Sequence, residues 1–264
     1  ELLRLNRHGA DRPLALSPEL HAVLAAAREV SALSAGAFDV TVAPLVQAWG
    51  FGTDRRRALP PAARIDAGRA AVGWPALQLD AGALSARKAR ADLQADLGGI
   101  AKGYGVDRAC DALDALGLGD YLLELGGEVR TRGRNGAGRP WRIGVEQPDA
   151  LPPRLRWVLP LAGRAVATSG DYRNYFVHDA RRYSHAIDPQ RGVPIAHALC
   201  SVTVVADDCL RADALATALL VLGADRAQAL AASAGIAALF IERGAGGYRD
   251  AMSPAFAALG AQRA

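Results

Sequence analysis

"YLLELGGEVRTRG", residues Tyr121–Gly133, reads as strand, with apolar and polar positions running around a glycine pair. Three stretches of the same character follow it: "WRIGVEQPD" (Trp141–Asp149), "LRWVLPL" (Leu155–Leu161) and "RAVATSG" (Arg164–Gly170). Further on, "SVTVVA" (Ser201–Ala206) is a continuous apolar strand, "CLRADALATALLVLG" (Cys209–Gly223) an amphipathic helix, and "IAALFIERG" (Ile236–Gly244) a late strand. Strands gather in the middle of the chain and helices flank them without strict alternation. That order predicts an α+β fold, mixed or antiparallel sheets flanked by helices, rather than a doubly wound parallel sheet.

Towards the N-terminus, Ser17 before Pro18 and Glu19 marks a helix start, with the hydroxyl capping free amides and proline at the first helical position. The helix runs through "ELHAVLAAAREVSAL" and Gly36 ends it. "APLVQAWGFG" (Ala43–Gly52) is a short apolar helix closed by glycines. The connection "TDRRRALPPAARID" carries Arg55, Arg56 and Arg57 in a loop and can begin another helix. "ALQLDAGALSARKARADLQADL" (Ala76–Leu97) alternates around an Asp80-Ala81-Gly82 turn signal and predicts a hairpin. After it, Ile100, Tyr104, Val106, Cys110, Leu113 and Leu116 recur at helical spacing. With no internal repeat and no long linker, residues 1–264 are expected to form a single domain.

Composition narrows the function classes. An apolar content of 51% over 264 residues fills a real core. The net charge of +4 comes from scattered arginines, and no basic helix interleaved with aromatics appears, so nucleic acid is not an expected partner. Cys110, Cys200 and Cys209 form no CxxC pair and have no adjacent histidine, which argues for small buried residues rather than disulfides or zinc. No apolar run approaches the ~18 residues of a membrane span.

Chemistry gathers at a few places. In "DLGGIAKGYG" (Asp96–Gly105), Gly98 and Gly99 lie at the mouth of a helix, where free amides and the dipole favour an anion such as phosphate. Lys102, one turn in, suits a negative ligand there; the alternative is a glycine pair that merely permits tight packing. The motif is neither a Walker loop nor GxGxxG. Asp213 and Thr217 are four residues apart, so one helical face offers a carboxylate and a hydroxyl to a hard cation, with Asp96 as companion acid. His185 ends a strand near Ser169, Gly170 and Asp188; it can act as an acid–base group or a phosphate contact, while Asp188-Pro189 is turn chemistry. No GxSxG elbow accompanies the serines.

Taken in order, "GAFDVTVAPLVQAWGFG", "DLGGIAKGYGVD", "LLELGGEVRTRG", "AVATSGDYRNYF", "YSHAIDPQRGVPI" and "SVTVVADDCLRADALATALLVLG" resemble the signatures of the FAD:protein FMN transferases, the ApbE family, along nearly the whole chain. The resemblance implies that family's T-fold-related architecture and Mg²⁺-dependent transfer of FMN from FAD to a threonine or serine hydroxyl of an acceptor flavoprotein subunit, with release of AMP. It implies FAD contacts at Ala37, Phe38, Asp39, Asp96, Lys102 and Ile187, and Mg²⁺ ligands at Gly99, Asp213, Ala216 and Thr217. His185 is then the candidate to take the acceptor's proton or to stabilise the developing charge, oriented by Asp188. A periplasmic location, with a lipid anchor upstream, follows from the same resemblance. Two departures stand out: the chain opens after the family's Met-Gly-Thr-like segment, and the usual Gly-Gly-Asp is Gly-Gly-Glu, with Glu128. The alternatives are a Mg²⁺-dependent FAD pyrophosphatase giving FMN and AMP, and a flavin-binding protein without turnover.

Overall fold

The computed structural model describes residues 1–53 and 58–264, so the Arg55-Arg56-Arg57 loop expected from sequence lies outside the described residues. The chain divides into two compact units, one of Glu1–Gly99 with Asn174–Ala196, the other of Ile100–Arg173 with His197–Ala264.

In the first unit the helix Pro18–Leu33 begins as expected, the Ser17 hydroxyl accepting the Leu20 amide at 3.1 Å. It stops at a Ser34 cap, after which Ala35 and Gly36 take positive φ. The hairpin from Ala76 is shorter than its alternation suggests: Leu77–Asp80 pairs with Ser85–Lys88, and Leu14–Ala15 adds a third strand on the other side. Beyond Lys88 the chain is irregular because Lys88 turns inward. Its ammonium, 1% exposed, donates to the carbonyls of Asn6, Ala91 and Leu93 at 3.0, 3.1 and 3.0 Å. Short helices Ala43–Ala48 and Ala62–Ala71 and the hairpin Tyr175–His178/Arg181–Ser184 surround a core of Leu45, Trp49, Phe176 and Ile187.

The second unit is built on a six-stranded sheet in the order Gly247–Met252, Ala237–Gly244, Leu199–Ala206, Ala165–Gly170, Glu128–Arg132, Tyr121–Leu125. Every pairing among the described strands of both units is antiparallel. Leu199–Ala206 is central and buried along almost its whole length, which explains why it is apolar apart from the small buried hydroxyls of Ser201 and Thr203. Successive residues of a strand face opposite sides. Thus Ala165 packs with Val106, Cys110 and Cys209 beneath the helices, while Val166 packs with Ile143, Leu159, Leu239 and Phe256 beneath the three-stranded sheet of Trp141–Glu146, Leu155–Leu161 and Gln262–Arg263. The helices on the first face are Ala101–Ala115 and Cys209–Leu222, packed against each other. All three cysteines are buried and free. Among the described residues no helix is long and apolar enough to cross a membrane.

Candidate functional site

The two-residue turn between Tyr121–Leu125 and Glu128–Arg132 sets the first piece of the site. Gly126 and Gly127 have φ of 66° and 102°, a conformation that suits glycine and matches the twist of a tight hairpin. Glu128 is therefore carried on the first residue of a strand, held by its pairing with Leu125. Its side chain is 1% exposed; Oε1 accepts from Lys102 Nζ, and Oε2 is buried without a hydrogen-bond partner.

Lys102 and Asp213 come from the two packed helices. At Gly103 they approach so closely that a Cβ would lie 2.6 Å from the Cys209 carbonyl carbon and 2.9 Å from Asp213 Cβ. The contact lets the Gly103 amide donate to Asp213 Oδ2 at 3.0 Å, although Asp213 is on the neighbouring helix and 2% exposed. Asp213 Oδ1 is 3.9 Å from Lys102 Nζ, so one ammonium serves two buried carboxylates. Burial pushes the Glu128 carboxyl up, and its bond to Lys102 pulls the other way while the Asp213 charge adds to the rise. Asp213 is likewise pushed up by burial against the pull of Lys102 and the Gly103 amide. One turn beyond Asp213, Thr217 Oγ1 is 3.0 Å from Ser169 Oγ on the strand Ala165–Gly170.

These donors suit a hard divalent cation. They are carboxylate and hydroxyl oxygens, one of them an unpartnered buried oxygen, and they carry more negative charge than the lysine balances. Among the described residues no group of three or more His, Cys, Asp or Glu side chains is placed to hold a metal ion by itself. Ala216, fully buried, lies inside the helix Cys209–Leu222, where its carbonyl already faces the Leu220 amide. Lys102, expected from the resemblance on a phosphate, is engaged here by Glu128. That role was not legible in the spacing.

In the first unit, Asp96 Oδ1 accepts the Gly98 amide at 2.7 Å, and its own amide donates to the Val40 carbonyl at 2.6 Å. The glycine turn ending at Gly99 is thereby tied to the stretch containing Ala37, Phe38 and Asp39. All three of those residues are buried. Asp39 Oδ1 takes the Thr41 amide and hydroxyl at 2.8 and 2.6 Å, and Oδ2 takes the Trp74 amide at 2.9 Å, so its carboxylate builds the local turn. The Ile187 side chain belongs to the core with Leu45, Trp49 and Phe176.

His185 is exposed and is held by Asn174: its amide donates to the Asn174 carbonyl at 3.0 Å and Nδ1 lies 3.1 Å from the same oxygen. A carbonyl only accepts, so Nδ1–H is the donor of this bond. The ring meets Phe51 edge-on, centroids 6.4 Å apart. The Asp188 carboxylate, expected to orient the histidine, accepts the Gln190 and Arg191 amides at 2.9 and 3.1 Å and closes a turn. The Asn174 carbonyl at Nδ1 is a backbone partner, which residue types do not reveal.

A sequence model of the ApbE family matches residues 1–240. The chain is 41% identical over 257 residues to the FAD:protein FMN transferase of Vibrio cholerae serotype O1, an alignment covering 97% of this chain and 76% of the relative. Among solved structures, the flavin transferase ApbE from Vibrio cholerae superposes with a TM-score of 0.89 at 38% identity, covering 98% of this chain and 82% of that one. The apo form of the Pseudomonas stutzeri flavinyl transferase ApbE gives 0.88 at 44% identity, over 98% and 80%. Matched by the family model over most of its length and by these relatives over nearly all of it, the chain belongs to the ApbE family.

Proposed function

We propose that the protein transfers FMN from FAD to a threonine or serine hydroxyl of an acceptor protein, releasing AMP, in a reaction that depends on Mg²⁺. Relatives named FAD:protein FMN transferase support the flavin transfer. The observation that carries the metal-dependent phosphoryl chemistry is the buried pair Glu128 and Asp213, facing a single lysine in a cluster rich in hard oxygen donors.

In the proposed step the acceptor hydroxyl oxygen forms a bond to the phosphorus on the FMN side of the pyrophosphate. The bond from that phosphorus to the bridging oxygen breaks, and AMP leaves with that oxygen. Asp213 and Thr217 are the side chains that would hold Mg²⁺; bound there, the ion supplies charge neutralisation and templating of pyrophosphate oxygens. Lys102 neutralises phosphate charge, and the Asp96–Gly99 turn supplies backbone contacts to FAD. His185 takes the hydroxyl proton, a contribution of roughly 10²–10⁴-fold for a positioned base.

A time course with FAD and Mg²⁺, with and without a threonine-containing acceptor peptide, tests the proposal. Flavin bound covalently to the peptide, together with one AMP per transfer, is the expected result. Free FMN at the same rate in both reactions would identify a pyrophosphatase, and no turnover would identify a binding protein. Asp213→Ala is expected to abolish turnover at low Mg²⁺ while circular dichroism is unchanged. Wild-type turnover in that variant would remove the metal assignment.

A further inference from the structure

The Glu128 carboxylate and a substrate phosphate compete for the charge and the donors of Lys102. Both anions claim one ammonium, and the structure has it on Glu128, 3.9 Å from Asp213 Oδ1. The mobilities of the partners differ. Glu128 is 1% exposed and fixed at the start of a strand beside a tight glycine turn, whereas the Lys102 side chain is 47% exposed on a helix surface. When the pair separates, it is therefore the lysine that moves. Its departure would leave two buried carboxylates, one of them already with the unpartnered Glu128 Oε2, without that counter-ion, a costly state. A divalent cation at these oxygens removes that cost.

We propose that Glu128 holds Lys102 back from the substrate until a divalent cation has bound, so that the cation and FAD bind with positive coupling through the Lys102–Glu128 pair. The proposal deepens the functional reading and rests on its assignment of Lys102 to FAD and of Asp213 to the cation. Glu128 is then neither a spectator nor only a structural acid; it sets the order in which the site fills.

The test is FAD affinity by flavin fluorescence, in EDTA and in Mg²⁺, with circular dichroism as the check on folding. In the wild type, Mg²⁺ tightens FAD binding by about tenfold, within the usual range of coupling between sites. Glu128→Gln, which keeps the shape but not the charge, binds FAD more tightly than wild type in EDTA, because Lys102 is released, and gains less than about twofold from Mg²⁺. Glu128→Asp retains the charge and the coupling. A Glu128→Gln protein with wild-type affinity in EDTA and the full gain from Mg²⁺ overturns the proposal alone. Lys102→Met distinguishes the other failure: if it binds FAD as tightly as wild type in Mg²⁺, Lys102 is not a FAD contact, and the functional assignment falls with the coupling.

Discussion

Alanine at Gly103 isolates the helix contact on which Asp213 depends. Gly→Ala inside an exposed helix normally stabilises by up to about 1 kcal/mol. Here the new methyl would press on the Cys209 carbonyl, 2.6 Å from its carbon and 2.9 Å from Asp213 Cβ, with backbone as the main obstacle. Overpacking of that kind costs about 1–3 kcal/mol. Moving the helices apart also lengthens the 3.0 Å bond from the Gly103 amide to Asp213 Oδ2, and a hydrogen bond to a charged group is worth about 1.5–3 kcal/mol. Set against the helix propensity gained, the net expectation is a loss of roughly 1.5–5 kcal/mol. Gly105→Ala is the internal control, because its Cβ would meet only Leu125 Cδ2, at an ordinary 3.8 Å. It should be neutral or stabilising by about 1 kcal/mol. Urea unfolding of both variants, with a Mg²⁺ titration of FMN transfer, measures the difference. Two variants that shift the urea midpoint in the same direction by similar amounts would refute the close-contact account.

Asp107→Ala should cost about 2–4 kcal/mol, because its carboxylate accepts the Cys209 and Leu210 amides at 3.0 and 2.8 Å and pairs with Arg130 at 2.6 Å. The same change should raise the Mg²⁺ concentration needed for half-maximal transfer, and Asp107→Asn should do so less; urea unfolding and metal titration report the two effects. Thiol labelling at mildly alkaline pH is expected to modify no cysteine in the folded protein and all three after denaturation. Cys110, Cys200 and Cys209 are each 0% exposed, and burial pushes the Cys200 thiol up to about 12.

The parts of the fold that can be read in the sequence are those where side-chain chemistry fixes the backbone locally. Ser17-Pro18 caps a helix, the Leu199–Ala206 run is a doubly covered strand, and Asp213 and Thr217 share a helix face. Other elements give weaker signals. In the helix Ala224–Ser233 only Ala227 and Ala231 are buried, and alanine offers little contrast with its neighbours. The strand Gly247–Met252 is an edge strand with the charged residues Arg249 and Asp250 side by side and no regular alternation, so its pairing with Ala237–Gly244 depends on its neighbour rather than on its own pattern. At the site, individual residue types were legible but their partners were not. Lys102 meets Glu128, His185 meets the Asn174 carbonyl, and Asp188 closes a turn, because each partner is set by tertiary structure or by backbone.

The glycines of "DLGGIAKGYGVD" do two different jobs, and their surroundings separate them. A Cβ on Gly98 would meet Asp96 Oδ1 at 2.9 Å, so this glycine permits the turn that Asp96 closes over its amide. Gly103 instead serves helix packing, and Asp107 follows one turn later on the same face. Opposite them, Cys209, Asp213 and Thr217 recur at the same four-residue interval on the neighbouring helix. Asp107 caps the start of that helix, Gly103 sets its distance, and the Gly103 amide takes one oxygen of Asp213. The helix that carries Lys102 therefore also fixes the height and rotation of the helix that carries Asp213. A buried acid in a helix interior is tolerable only where such donors are fixed in advance. Packing and charge placement here are one constraint, which is why substitutions at Gly103 and Asp107 should appear in the proposed metal dependence as well as in stability.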